Sequence, residues 1–119
     1  MAQLRILVAD DDRDAVNSLV LLLREDGHEV RGVYTGLDVL DKVRDFAPDA
    51  VVLDIGMPHI NGYEVARALR ERYASARPML IAITGRNQAN DRTLTQLAGF
   101  DHHLAKPYDP GALLALLRA

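Results

Sequence analysis

At 119 residues, with 49% hydrophobic and 26% charged residues, the chain has the size and mixture of one globular domain spanning 1–119. No apolar run approaches the ~20 residues of a membrane span, and the N-terminus lacks a signal-peptide pattern. A net charge of −3 speaks against a nucleic-acid surface, and the absence of cysteine excludes a disulfide framework and fits a reducing cytoplasm.

Leu4-Arg5-Ile6-Leu7-Val8-Ala9 reads as a first strand, cut off by Asp10-Asp11-Asp12. Val16, Leu19, Val20 and Leu23 then recur at helical spacing, and Gly27 closes that helix. Glu29 to Val33 alternates polar and apolar, as a half-exposed strand does. Val39, Leu40, Val43 and Phe46 form a second helical stripe, broken by Ala47-Pro48. Val51-Val52-Leu53-Asp54 is apolar to its last residue, and Ile55-Gly56-Met57-Pro58 turns the chain away, the pattern of a strand buried on both faces. Asn61-Gly62 opens a third helix carrying Val65, Ala66, Leu69 and Tyr73. Met79 to Ile83 is a second fully apolar strand, ending at Thr84-Gly85. A polar helix follows, with Leu94, Leu97 and Ala98 as its only clear core candidates. His102 to Ala105 is a short last strand before Lys106-Pro107. Asp109 as N-cap and Pro110 at the first helical position open a final helix that buries Leu113, Leu114 and Leu117 and leaves Leu116 facing outward.

Five strands alternating with five helices imply an α/β fold: a parallel sheet between two helix layers. The all-apolar strands ending at Asp54 and Ile83 belong in the centre, and those around Val30 and Leu104 at the edges. That sorting suits a flavodoxin-like (βα)5 arrangement with strand order 2-1-3-4-5.

All strands of a parallel sheet end on one side, where open α/β folds bind ligands. Asp10, Asp11, Asp54, Thr84 and Lys106 should therefore meet at one mouth. Two like charges ~4 Å apart cost about 4 kcal/mol at an effective dielectric of 20, so a cation or a proton must offset the crowded carboxylates. An all-oxygen donor set favours a hard ion such as Mg2+. Of the 14 basic residues only Lys42 and Lys106 are lysine, so Lys106 beside a proline suggests that a compact ammonium is required. Carboxylate nucleophile, Mg2+, ammonium and hydroxyl together make a phosphoryl-transfer constellation.

Five motifs in order carry a family resemblance: Ile6-Leu7-Val8-Ala9-Asp10-Asp11, Val52 to Pro58, Asn61-Gly62-Tyr63-Glu64, Ile83-Thr84-Gly85 and Leu104-Ala105-Lys106-Pro107. On them the chain resembles the receiver domain of two-component response regulators over essentially its whole length. The resemblance implies Asp54 as phospho-acceptor, Mg2+ held by Asp10, Asp11, Asp54 and the carbonyl of Gly56, and Lys106 paired with Asp54. It also implies Thr84 as switch hydroxyl and a cis Lys106-Pro107 bond. Partners would be a histidine kinase or histidine phosphotransfer protein, then a downstream protein or kinase modules of the same chain. No direct nucleic-acid or membrane contact is expected, and the fourth helix, fifth strand and fifth helix offer a dimer or docking face.

His103 stands where the family usually has Tyr or Phe, and inward burial against the threonine or an exposed edge position are both open. Asp12 reads as a helix-start carboxylate. Arg86 could guard water access to a phosphoryl group, though such a residue is more often a solvated loop arginine. A zinc set drawn from His28, His59, His102 and His103 is disfavoured, since neighbouring strand residues face opposite ways. Three other functions compete: a haloacid-dehalogenase-type phosphatase using Asp10-Asp11-Asp12, a flavodoxin, and a receiver-like docking module that is never phosphorylated.

Overall fold

A computed structural model describes residues 3–73, 78–85 and 92–118. Its elements alternate as expected: β1 (Arg5–Ala9), α1 (Arg13–Glu25), β2 (Glu29–Val33), α2 (Gly36–Phe46), β3 (Ala50–Asp54), α3 (Gly62–Arg72), β4 (Met79–Thr84), α4 (Arg92–Ala98), β5 (His102–Ala105) and α5 (Pro110–Arg118). No helix among the described residues is long and apolar enough to cross a membrane.

The five strands form one parallel sheet in the order β2-β1-β3-β4-β5. Alternation along each strand splits the core into two layers. Leu7, Ala9, Val51, Leu53, Leu80 and Ala82 pack with Val39 and Val43 of α2, Val65, Ala66 and Leu69 of α3, and Ala98 of α4. Ile6, Val8, Val52, Ile81 and Ile83 face the other way, onto Val16, Val20 and Leu23 of α1 and Leu113 and Leu117 of α5. β3 is buried along its full length, which is why its sequence is apolar up to the terminal carboxylate.

Short polar side chains start the helices. Asp12 caps α1 by accepting from the amides of Asp14 and Ala15 at 3.1 and 3.3 Å. Asn61 and Glu64 form a reciprocal capping box on α3. Asp109 accepts from the Gly111 amide at 3.1 Å at the start of α5. α1 and α2 end through a left-handed residue, Gly27 (φ 95°) after α1 and Ala47 (φ 49°) after α2. Gly62 is required for a different reason. A β-carbon there would stand 2.8 Å from Ile55 Cα and 3.0 Å from the Asp54 carbonyl oxygen, so α3 could not begin directly over the end of β3.

Two expectations fail, both at one edge of the fold. Leu94 and Leu97 are 42% and 73% exposed, while Thr95 and Ala98 are each 2% exposed. The inward stripe of α4 is turned by one position. Phe100, just beyond the helix, supplies the bulk of the packing there, so narrow side chains face the sheet. Leu116 does not look outward: it is partly buried against the second layer.

Candidate functional site

The carboxyl ends of the strands set the site. Asp10 directly follows β1 and is held by the Asp12 amide, which donates to its Oδ1 at 3.0 Å. Asp54 is the last residue of β3, and its Oδ1 accepts from the Gly56 amide at 3.2 Å in the turn that follows. Both carboxylates are buried, whereas Asp11 is exposed. One oxygen from each of Asp10, Asp11 and Asp54 lies within 4.8 Å of the others, the only such acidic or histidine-containing group among the described residues. The histidines weighed for zinc are not part of it.

Lys106 reaches this cluster from the turn after β5, where its amide donates to the Thr84 carbonyl at 2.7 Å and its bond to Pro107 is cis. Its Nζ stands 3.2 Å from Asp10 Oδ2 and 3.9 Å from Asp54 Oδ1. The expected pairing with Asp54 is thus present, but Asp10 is the nearer partner. Among the described residues, three carboxylates face one ammonium, which leaves this group short of positive charge. Burial, then the charge of Asp10, pushes the Asp54 carboxyl up to about 6, against the opposing pull of the Gly56 amide and Lys106. Burial works to lower the Lys106 pKa, but Asp54 and Asp10 outweigh it and the net shift is upward.

A set of oxygen donors this close, with one member's pKa raised by burial and then by like charge, fits a hard divalent cation. Asp10, Asp11 and Asp54 are the residues that could hold it. The exposed turn residue Gly56 lies two residues beyond Asp54.

Thr84 ends β4 rather than following it, and it is wholly buried. Its Oγ1 lies 2.9 Å from His103 Nε2. Strand pairing explains the contact. Ala82 pairs with His103 and Thr84 with Ala105, so Thr84 and His103 are diagonal neighbours on one face of the sheet. Of the two orientations open for His103, the inward one is realised. Arg86 lies outside the described residues.

Two contributors were not singled out from sequence. Tyr108, half-buried, lines a cleft of about 570 Å³ that runs from Asp10, Asp54 and Lys106 along Ala15, Val16 and Leu19 of α1. Burial is the main cause of the upward shift of its phenol. Arg70 of α3 donates to the carbonyls of Gly99 and Pro78 at 2.9 and 3.0 Å and to Asp101 at 2.8 Å, and Asp101 also accepts from the Leu80 amide at 2.8 Å. That knot fixes the start of β5, and so the placing of His103 and Lys106. Arginines at i and i+2 in Arg70-Glu71-Arg72 carry no pattern that would have marked the first as inward.

The phosphatase alternative loses its second carboxylate here, because Asp12 is engaged in capping α1.

A family model described as the response regulator receiver domain matches residues 6–118. The chain is 40% identical over 116 residues to the response regulator MprA of Mycobacterium avium, covering 98% of this chain and 50% of that protein. It is 35% identical over 113 residues to the transcriptional regulatory protein CreB of Escherichia coli, covering 95% of this chain and 48% of that one. The chain thus spans about half the length of the curated relatives it matches. A solved structure of a putative response regulator from Chloroflexus aurantiacus superposes with a TM-score of 0.89 at 27% identity, covering 98% of this chain and 96% of that one.

Proposed function

Since this chain belongs to the response regulator receiver domain family, we propose that it is a phosphorylation-dependent signalling switch with Asp54 as the acceptor. The observation that carries this reading is the Asp54 carboxylate at the end of the central strand, crowded by Asp10 and Asp11 and 3.9 Å from the Lys106 ammonium. A carboxylate so placed is a nucleophile whose surroundings favour added positive charge.

An Asp54 oxygen attacks the phosphorus of a phosphohistidine on a histidine kinase or phosphotransfer protein. The P–O bond forms as the P–N bond breaks, and the leaving imidazole takes up a proton. Lys106 supplies positive charge to the equatorial oxygens, and Thr84 a hydroxyl. A bound Mg2+, held by Asp10, Asp11, Asp54 and the Gly56 carbonyl, would supply further positive charge to the transferring group. Hydrolysis of the acyl phosphate returns the carboxylate. The added charge must favour one arrangement of the surface over another, because a modification that both states accept equally shifts nothing. The output is then a protein contact, in the cytoplasm, and the face of α4, β5 and α5 is a candidate for docking or dimer formation.

Incubation with acetyl phosphate and Mg2+ should add one phosphate by intact mass, and Asp54→Ala should add none. An unmodified wild-type chain, or equal modification of the variant, would overturn the reading.

A further inference from the structure

Strand alternation gives the acid cluster an apolar side. Val8 pairs with Val52 across β1 and β3, and Asp54 pairs with Ile83 across β3 and β4. The two-residue period puts Asp54 on the face of Val52 and Ile83, the face covered by α1 and α5. Deep in that layer Leu23 of α1 and Leu113 and Leu117 of α5 fill the space. At the mouth α1 offers only the small Ala15, and α5 has not begun, because Lys106, Pro107 and Tyr108 precede its first residue, Pro110. The cleft of about 570 Å³ results, floored by Val8, Val52 and Ile83 and walled on one side by Ala15 and Leu19. Asp10, Asp54 and Lys106 stand at its polar end. An apolar hollow of this size with a few polar groups at one end has the form of a small-molecule site.

The charges at that end select the head group. Asp10 accepts from the Asp12 amide through Oδ1 at 3.0 Å and from Lys106 through Oδ2 at 3.2 Å. Asp54 is farther from that ammonium, at 3.9 Å, and Asp11 lies beside both acids. Among the described residues an arriving anion would meet three carboxylates and one ammonium, whereas an arriving cation would relieve the excess.

We propose that this cleft binds a small amphipathic cation, a primary amine with a phenyl or branched alkyl body, its ammonium against Asp54 and its body along α1 over Val8 and Val52. Covering the apolar floor supplies affinity, and the ammonium fixes the orientation. The occupant competes with Mg2+ for the carboxylates and covers Asp54. Its effect on phosphorylation rests on the reading of Asp54 as acceptor; its binding does not.

The test titrates the chain in chelator with phenethylammonium and follows backbone amide shifts by NMR. Shifts should gather on β1, α1 and residues 106–108. The analogue 2-phenylethanol keeps the body without the charge, and ethylammonium keeps the charge without the body. Each should bind about tenfold more weakly, as should the anion phenylacetate. An analogue that matches phenethylammonium overturns the proposal, because apolar surface alone, charge alone or Lys106 would then hold the ligand. Ala15→Leu, which fills the cleft, should weaken the probe by about tenfold, and Leu19→Ala, which removes a wall, by about threefold. Neither should alter Mg2+ affinity, which also shows that the variants are folded. Unchanged probe affinity in both variants places the ligand elsewhere and overturns the proposal. By reciprocity, saturating Mg2+ should weaken the probe by the factor by which the probe weakens Mg2+, about tenfold. Independent binding of the two would overturn the placement of the ammonium. Adduct formation from acetyl phosphate should slow as the cleft fills, and an unslowed rate at saturation also counts against it. Binding with these marks to a wild-type chain that takes up no phosphate removes the Asp54 reading and leaves this one standing. Phosphate uptake without such binding removes only this one.

Discussion

The two ends of the sheet hold similar side chains in opposite proportion. At the amino end Asp26 lies between His28, 3.3 Å away, and Arg118, 2.9 Å away. The buried His28 accepts the Leu4 amide through Nδ1 at 3.1 Å, and Asp49 accepts the Arg5 amide at 2.8 Å. Each acid there meets a donor, and the result ties α1, β1, β3 and α5 together. At the carboxyl end, among the described residues, Asp10, Asp11 and Asp54 face the one ammonium of Lys106. The difference teaches that acid clusters are not equivalent. One set pairs its acids with donors and holds the fold; the other, among the described residues, is short of a cation and invites a metal or a phosphoryl group.

The largest break in that symmetry should come from a divalent cation. Mg2+ at about 100 times its dissociation constant should stabilise the folded chain by ~2.7 kcal/mol, read as a higher melting temperature. Asp11→Asn should lose most of that rise and Asp26→Asn none. An equal response from both variants would erase the distinction between the ends.

Next in size is a pH effect without metal. Asp54 titrates at about 6 in the folded chain, above the ~3.9 of an unfolded aspartate, so the folded state holds the proton more tightly. Its contribution is fully present below about pH 4 and is lost as pH rises through 6. Asp54→Asn escapes that loss. In chelator it should be more stable than wild type by roughly 2 kcal/mol at pH 7, and the gap should close toward pH 4. Denaturant melts at both pH values check this, and a gap independent of pH would contradict it.

The smallest effect sharpens the comparison from the other side. Asp26→Asn should destabilise the chain by about 1 kcal/mol, through weakened contacts to His28 and Arg118, and leave adduct formation unchanged. Loss of phosphorylation in this variant would mean that the amino end is not merely structural.

The fold was legible because its signals are local or periodic. Apolar strands end on named turn residues, Asp12, Asn61 and Asp109 start their helices as expected, and strand polarity alone separated the central strands from the edges. The acids, Thr84 and Lys106 were found because a parallel sheet brings all strand ends to one side. α4 was misread because seven residues with few apolar positions give the helical period little to act on. Which of Leu94, Thr95, Leu97 and Ala98 faces inward depends on Phe100 filling the space first.

By itself, then, the sequence determined the element order, the strand order and the gathering of carboxylates beside a lysine, since each follows from spacing along the chain. Only the tertiary structure decided that Asp10 is the nearer partner of Lys106, that Arg70 anchors the start of β5, and that His103 reaches Thr84. Those are contacts between residues far apart in sequence, fixed to within an ångström by the packing of whole elements, and no local pattern records distances on that scale.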